Sequence, residues 1–137
     1  MNRKTFSAAV LVVLGVLGGT ALAAKTFPLT SSPAVPAASG NVAVKKDKNG
    51  NNEVTIKTEH LAQPGMLTPP ASTYVVWFQE QSGEPMNQGD LKVGKSLKSG
   101  FKATTHFANF EVLVTAEGDP AVKNPSGQVV LRAKVQQ

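Results

Sequence analysis

The sequence predicts an all-β protein, an immunoglobulin- or fibronectin-like antiparallel β-sandwich of about seven strands. Three observations carry this. Short segments of alternating apolar and polar residues recur from Gly40 to the C-terminus, separated by Gly, Pro and Asn turn signals. No segment after the first two dozen residues has a 3.6-residue apolar period of helical length. The crossover helices that a parallel α/β fold needs are therefore missing. A small antiparallel barrel is the main competing architecture.

Val42 and Val44 share one face of the first strand. Asn49-Gly50 supplies the positive-φ pair of a tight hairpin. Val54 and Ile56 then point one way, with Thr55, Lys57 and Glu59 pointing the other. Residues Ala62 to Ser72 hold Pro64, Gly65, Pro69 and Pro70 and read as a loop. Tyr74-Val75-Val76-Trp77-Phe78 is apolar on both faces, so it reads as a strand covered on both sides. Leu91 and Val93 form a short strand ended by Gly94, and Leu97, Phe101 and Ala103 suggest another. Phe110, Val112, Val114 and Ala116 share a strand face opposite Glu111, Thr115 and Glu117. Val129, Leu131, Ala133 and Val135 close the domain, with Arg132 and Lys134 toward water.

The beginning of the chain has another character. Arg3 and Lys4 precede an apolar stretch from Ala8 to Leu17, and Ala21-Leu22-Ala23-Ala24 follows. Basic, apolar, then small-x-small is the order of a cleavable signal peptide over residues 1–23. Ala21 and Ala23 suit the peptidase pocket, with a cut after Ala24 as the near alternative. The apolar run falls short of the roughly 20 residues of a membrane span, so no stable span is expected once it is removed. Export to the periplasm or the medium follows. Residues 24–39 contain Pro28, Pro33 and Pro36 among small residues and read as a proline-rich spacer. A first edge strand carried by Phe27 and Leu29 is the alternative. Residues 40–137 form the sandwich domain.

Composition narrows the function classes. The chain has no cysteine, which removes disulfides, thiolate metal sites and cysteine catalysis. Without residues 1–23 it keeps 12 basic and 9 acidic residues, a mild net charge of +3. The lysines are scattered among acids with no aromatic interleaving, so nucleic-acid binding is not expected.

Two stretches imitate known ligand loops. Gly89 to Ser96 matches the phosphate-loop pattern G-x-x-x-x-G-K-[ST]. That loop works between a strand and a helix N-terminus, and Gly100 interrupts any helix after Ser96. It is read as a turn joining two strands. Asp47 to Glu53 resembles the opening of a calcium loop, but Asn52 and Thr58 stand where glycine and a bidentate glutamate are required.

No glycine-flanked nucleophile is present, and Glu80 and Glu84 beside a turn are read as solvated rather than as a hydrolase pair. The expectation is therefore no enzyme and no cofactor. His60, Met66, Met86 and His106 are the only imidazole or thioether groups after residue 23. They are the candidate ligands of an alternative function, a copper or small-ligand carrier, although no short His-x-His or His-x-Met pair starts a chelate. Tyr74, Val76, Phe78 and Leu113 are expected to share an apolar stripe on the side away from Trp77 and Val112, where an envelope protein partner could dock.

The strand Tyr74 to Phe78 with Gly83-Glu84-Pro85, the strand Phe110 to Glu117, and Pro125 to Leu131 together resemble the extracytoplasmic domain of the anti-sigma-K factor family, over residues 73–135. The resemblance implies a sensory-type sandwich outside the membrane. Those factors carry a cytoplasmic sigma-binding domain and a membrane helix ahead of this module. Here only a signal-type segment precedes it, so sigma-factor binding is not implied. The expected role is that of a non-enzymatic protein-interaction or structural module of the cell envelope.

Overall fold

The computed structural model describes residues 24–137, so the signal-peptide reading of residues 1–23, with Ala21 and Ala23, lies outside the described residues. Among these the chain forms nine strands: β1 (Lys25–Pro28), β2 (Thr30–Ser31), β3 (Ser39–Lys46), β4 (Asn52–Glu59), β5 (Thr73–Glu80), β6 (Met86–Leu91), β7 (Ser99–Thr105), β8 (Phe110–Glu117) and β9 (Val129–Val135). They make two antiparallel sheets, ordered β1-β3-β4-β7 and β2-β9-β8-β5-β6. The sheets pack face to face as a sandwich, and the barrel alternative falls away.

The alternation seen in the sequence fills the space between the sheets. Val42 pairs with Ile56 and Val44 with Val54 across β3 and β4, and all four are buried. From the other sheet come Tyr74, Val76 and Phe78 of β5 and Phe110, Val112, Val114 and Ala116 of β8. A β-bulge between β8 and β9 pairs Val114 with Leu131 but Thr115 with Val129, skipping Val130. The extra residue lets both Val130 and Leu131 enter the core. Phe107 caps one end, 6.2 Å from Phe110, which lies 5.0 Å from Phe78.

The spacer expected over residues 24–39 is instead part of the sandwich. β1 pairs with β3 in one sheet and β2 with β9 in the other, so a single extended segment edges both. Leu29 marks the crossing, its amide donating to Gly40 O at 3.0 Å. Gly40 is required there, because a Cβ would stand 2.3 Å from Lys57 O. Leu29, Val35 and Ala38 are all buried in the core. The prolines do not prevent this: Pro28 ends an edge strand, where a missing N–H costs no ladder bond. Leu29→Ala is expected to lower stability by about 2–3 kcal/mol in urea unfolding, whereas a solvated spacer residue would give no change.

Turn chemistry also departs from expectation. The β3–β4 connection is a five-residue loop, Asp47 to Asn51, rather than a two-residue hairpin. Gly50 has φ +81°, but Asn49 does not share its positive φ. Asp47 Oδ1 organises the loop by accepting from the amides of Asn49 and Asn51, at 2.8 and 2.9 Å. The calcium-like residues are thereby accounted for as a turn.

Candidate functional site

The four candidate ligands do not gather at one place. His60 follows β4, and Met66 lies in a 3₁₀ turn (Pro64–Met66) before β5. Met86 opens β6 and His106 follows β7. In the β4–β7 ladder Thr58 pairs with Ser99 and Asn52 with Thr105, so the two histidines stand at opposite ends. At about 3.3 Å per residue the ladder holds them roughly 20 Å apart. Met86 and His106 share a groove of about 300 Å³, lined also by Asn51, Gln88, Thr104, Thr105 and Phe107. Among the described residues no group of three His, Cys, Asp or Glu is placed to hold a metal ion.

That groove lies at one end of the side where the sandwich is open. β6 and β7 are the last strands of their sheets there, and among the described residues no strand pairs with the outer edge of either. β6 is bulged: Val76 pairs with Gly89 and Trp77 with Asn87, which leaves Gln88 as the extra residue beside Gly89 at φ +127°. The 118–128 loop also reaches β6, because Asn87 Nδ2 donates to Pro120 O and Val122 O. β7 has an unbroken seven-pair register with β4. Alone among β3–β9 it contains no buried residue. Its inward-facing Phe101 and Ala103 pack on the core but stay partly exposed. Outward stands Lys102, 3.5 Å from Glu53, and Lys98 just before the strand is 3.9 Å from Glu59. All four side chains are exposed, so each pair contributes under about 1 kcal/mol.

The docking stripe expected from Tyr74, Val76, Phe78 and Leu113 does not exist as a surface. Trp77 pairs with Leu113, and Phe78 with Val112. Directly opposed residues share a face, so Leu113 belongs with Trp77 and Val112 with Phe78. Tyr74, Val76 and Phe78 are fully buried between the sheets. The Tyr74 hydroxyl donates to Ala62 O at 2.6 Å, and burial pushes its pKa up to about 12.

The other face of this sheet carries Val75, Trp77 and Leu113, buried with Val122 and Val129 packed against them. The 118–128 loop supplies the cover. A buried polar chain ties it down. Trp77 Nε1 donates to Thr115 Oγ1 at 2.8 Å, and that hydroxyl donates to Glu117 Oε2 at 2.5 Å. The Glu117 carboxylate then accepts from the Ser126 hydroxyl at 2.6 Å and from the amides of Ser126 and Gly127 at 3.1–3.3 Å. Glu117 is 2 % exposed. Burial pushes its pKa up, but the bonds from Ser126, Thr115 and Gly127 outweigh this and hold it below the usual carboxylate value. Gly127 lies so close to the neighbouring strand that a Cβ would come within 1.6 Å of Ala116 O.

The alternation of β8 sets Thr115 and Glu117 opposite its apolar face, and nothing in that pattern indicates that both are buried in a polar network. Its one sequence signal is a glutamate at a strand end followed by Gly118-Asp119-Pro120 and a returning Ser126-Gly127. The β7 edge also left a signal, since Lys98, Gly100 and Lys102 alternate along a segment that a central strand would not tolerate.

The remaining motifs take ordinary places. Leu91 ends β6, Gly94 to Leu97 make a turn, and β7 begins at Ser99, so no helix follows Ser96. Glu80 lines an open groove of about 330 Å³ with Asn109, Phe110, Glu111, Lys134 and Val135, and Glu84 is not among its lining residues. No helix among the described residues is long and apolar enough to cross a membrane. No protein-family profile, curated protein or solved structure matches this chain.

Proposed function

We propose that this chain is an exported, non-enzymatic protein of the cell envelope, periplasmic or extracellular, that acts as a protein-interaction module. The observation supporting this is the asymmetry of the sandwich. One side is closed by residues 25–31, which edge both sheets, while the other leaves β6 and β7 as terminal strands. An unpaired strand with half-covered core residues is a surface that backbone pairing can use. The signal-type segment and the likeness of residues 73–135 to an anti-sigma-K extracytoplasmic module fit the same reading.

In-cell crosslinking of the tagged protein, with mass spectrometry of captured peptides, tests it. One envelope protein, recovered reproducibly with crosslinks on lysines 92, 95, 98 and 102 around the β6–β7 side, is the expected result. Scattered contacts with abundant proteins only would count against the module.

A second reading is a soft-metal carrier, favoured by Met86 and His106 lining one groove. One imidazole and one thioether suit copper(I) rather than zinc or calcium. Titration with copper(I) or silver(I) should then shift the Met86 methyl and His106 ring signals together. Unchanged spectra at millimolar metal would remove this reading.

A further inference from the structure

We infer that the free edge of β7 takes up an extended acidic segment of a partner protein as an added β-strand. This rests on the interaction-module reading and names the partner's chemistry. The backbone is prepared for it. β7 is seven residues long, contains no proline and keeps a continuous register with β4. The competing edges are poorer templates: β6 is bulged at Gly89, β2 has two residues, and β1 has four and ends in Pro28.

The side chains say what kind of strand fits. Phe101 and Ala103 face inward yet remain partly exposed, so an added strand with apolar residues at alternate positions would complete the core edge. On the opposite face Gly100 and Thr104 flank Lys102 with small side chains, leaving its ammonium as the dominant charge. Lys98 stands one repeat further on. Acidic residues at the intervening positions of the partner would meet these lysines. Their present partners, Glu53 and Glu59, hold them only through exposed pairs at 3.5 and 3.9 Å. Beyond the strand, the groove with Met86 and His106 continues the same edge and offers Met86, 53 % exposed, to a further apolar residue.

The same lysines argue against a second copy of this chain. Two β7 strands paired about Lys102 would set Lys102 opposite itself. Pairing about Gly100 would set Lys98 opposite Lys102, and pairing about Phe101 would leave the two Lys102 side chains as diagonal neighbours. Like charges so placed oppose pairing, so the edge selects against itself and for an acidic strand.

The test uses ¹⁵N-labelled protein and a blocked seven-residue peptide alternating Val and Glu, with a Val/Lys peptide as control. The expected result is amide shifts and new exchange protection concentrated in Ser99–Thr105 and the Met86–His106 groove. Lys102→Glu should weaken the Val/Glu peptide by about tenfold and admit the Val/Lys peptide. The side chain and its Glu53 partner are exposed, so this variant should remain folded at the temperature of the measurement. No binding by the folded protein, equal binding of both peptides, or shifts mapping to the Glu80–Lys134 groove overturns the inference. So does a β7-paired homodimer seen in sedimentation and dissolved by Lys102→Glu. An in-cell partner crosslinked elsewhere would sink this assignment while leaving the module reading intact.

Discussion

Trp77→Ala is expected to destabilise the domain by about 3–5 kcal/mol, the largest effect of any single truncation here. Trp77 is among the largest fully buried side chains, yet it lies outside the space between the sheets. It is the piece around which the 118–128 loop closes over β5 and β8. Removing the indole leaves a cavity under that loop and takes the donor from Thr115 Oγ1. Trp77→Phe should separate the two contributions, retaining most of the apolar contact and losing the hydrogen bond, at about 1–2 kcal/mol. Urea unfolding followed by far-ultraviolet circular dichroism reads both, since Trp77 is the sole tryptophan and its fluorescence disappears with it. An unchanged midpoint for the alanine variant would mean that the loop does not cover this face.

Glu117→Ala should cost about 2–4 kcal/mol at neutral pH, because it strands the Thr115 hydroxyl and the amides of Ser126 and Gly127. The pH dependence has a definite sign. The pKa of Glu117 is lower folded than unfolded, so the unfolded chain binds the proton more readily. The stabilisation is fully present above the unfolded value, about 4.3, and is lost as pH falls through the folded value. Stability of the parent measured from pH 7 down to pH 3 should therefore fall more steeply than that of Glu117→Gln. The glutamine variant begins lower because its amide cannot accept all of these bonds with full charge. Parallel curves would show that Glu117 has the same pKa folded and unfolded, so that its hydrogen bonds do not favour the charged form.

Tyr74 to Phe78 could be recognised as a doubly covered strand because five consecutive apolar residues have no solvated face to offer. Val54 and Ile56 likewise announced their inward side. What the alternation did not supply was register. Leu113 was grouped with Phe78 rather than Trp77, and one residue of slip exchanges the two faces of a strand. The same gap hid the Glu117 network, whose parts come from β5, β8 and the residues before β9 and meet only in the right register. Over residues 24–39 the structure takes the edge-strand alternative rather than the proline-rich spacer, for another reason. Proline content suggests a solvated spacer, but an edge strand has a free side to its backbone and accepts proline at its end. Leu29, Val35 and Ala38 gain burial in the core by this arrangement. Of the candidate ligands, topology rather than composition decides the outcome: a single ladder separates His60 from His106, while β6 of the other sheet carries Met86 to the groove that His106 lines.

The account depends on β7 being a free edge in solution. Amide hydrogen exchange of the dilute protein, resolved by NMR, reads this directly. Every second amide from Ser99 to Thr105 should exchange as fast as those of an exposed loop, with the alternate ones slowed by β4 and all of β8 strongly protected. Uniform protection along β7, equal to that of β8, would show the edge already occupied and would contradict the account.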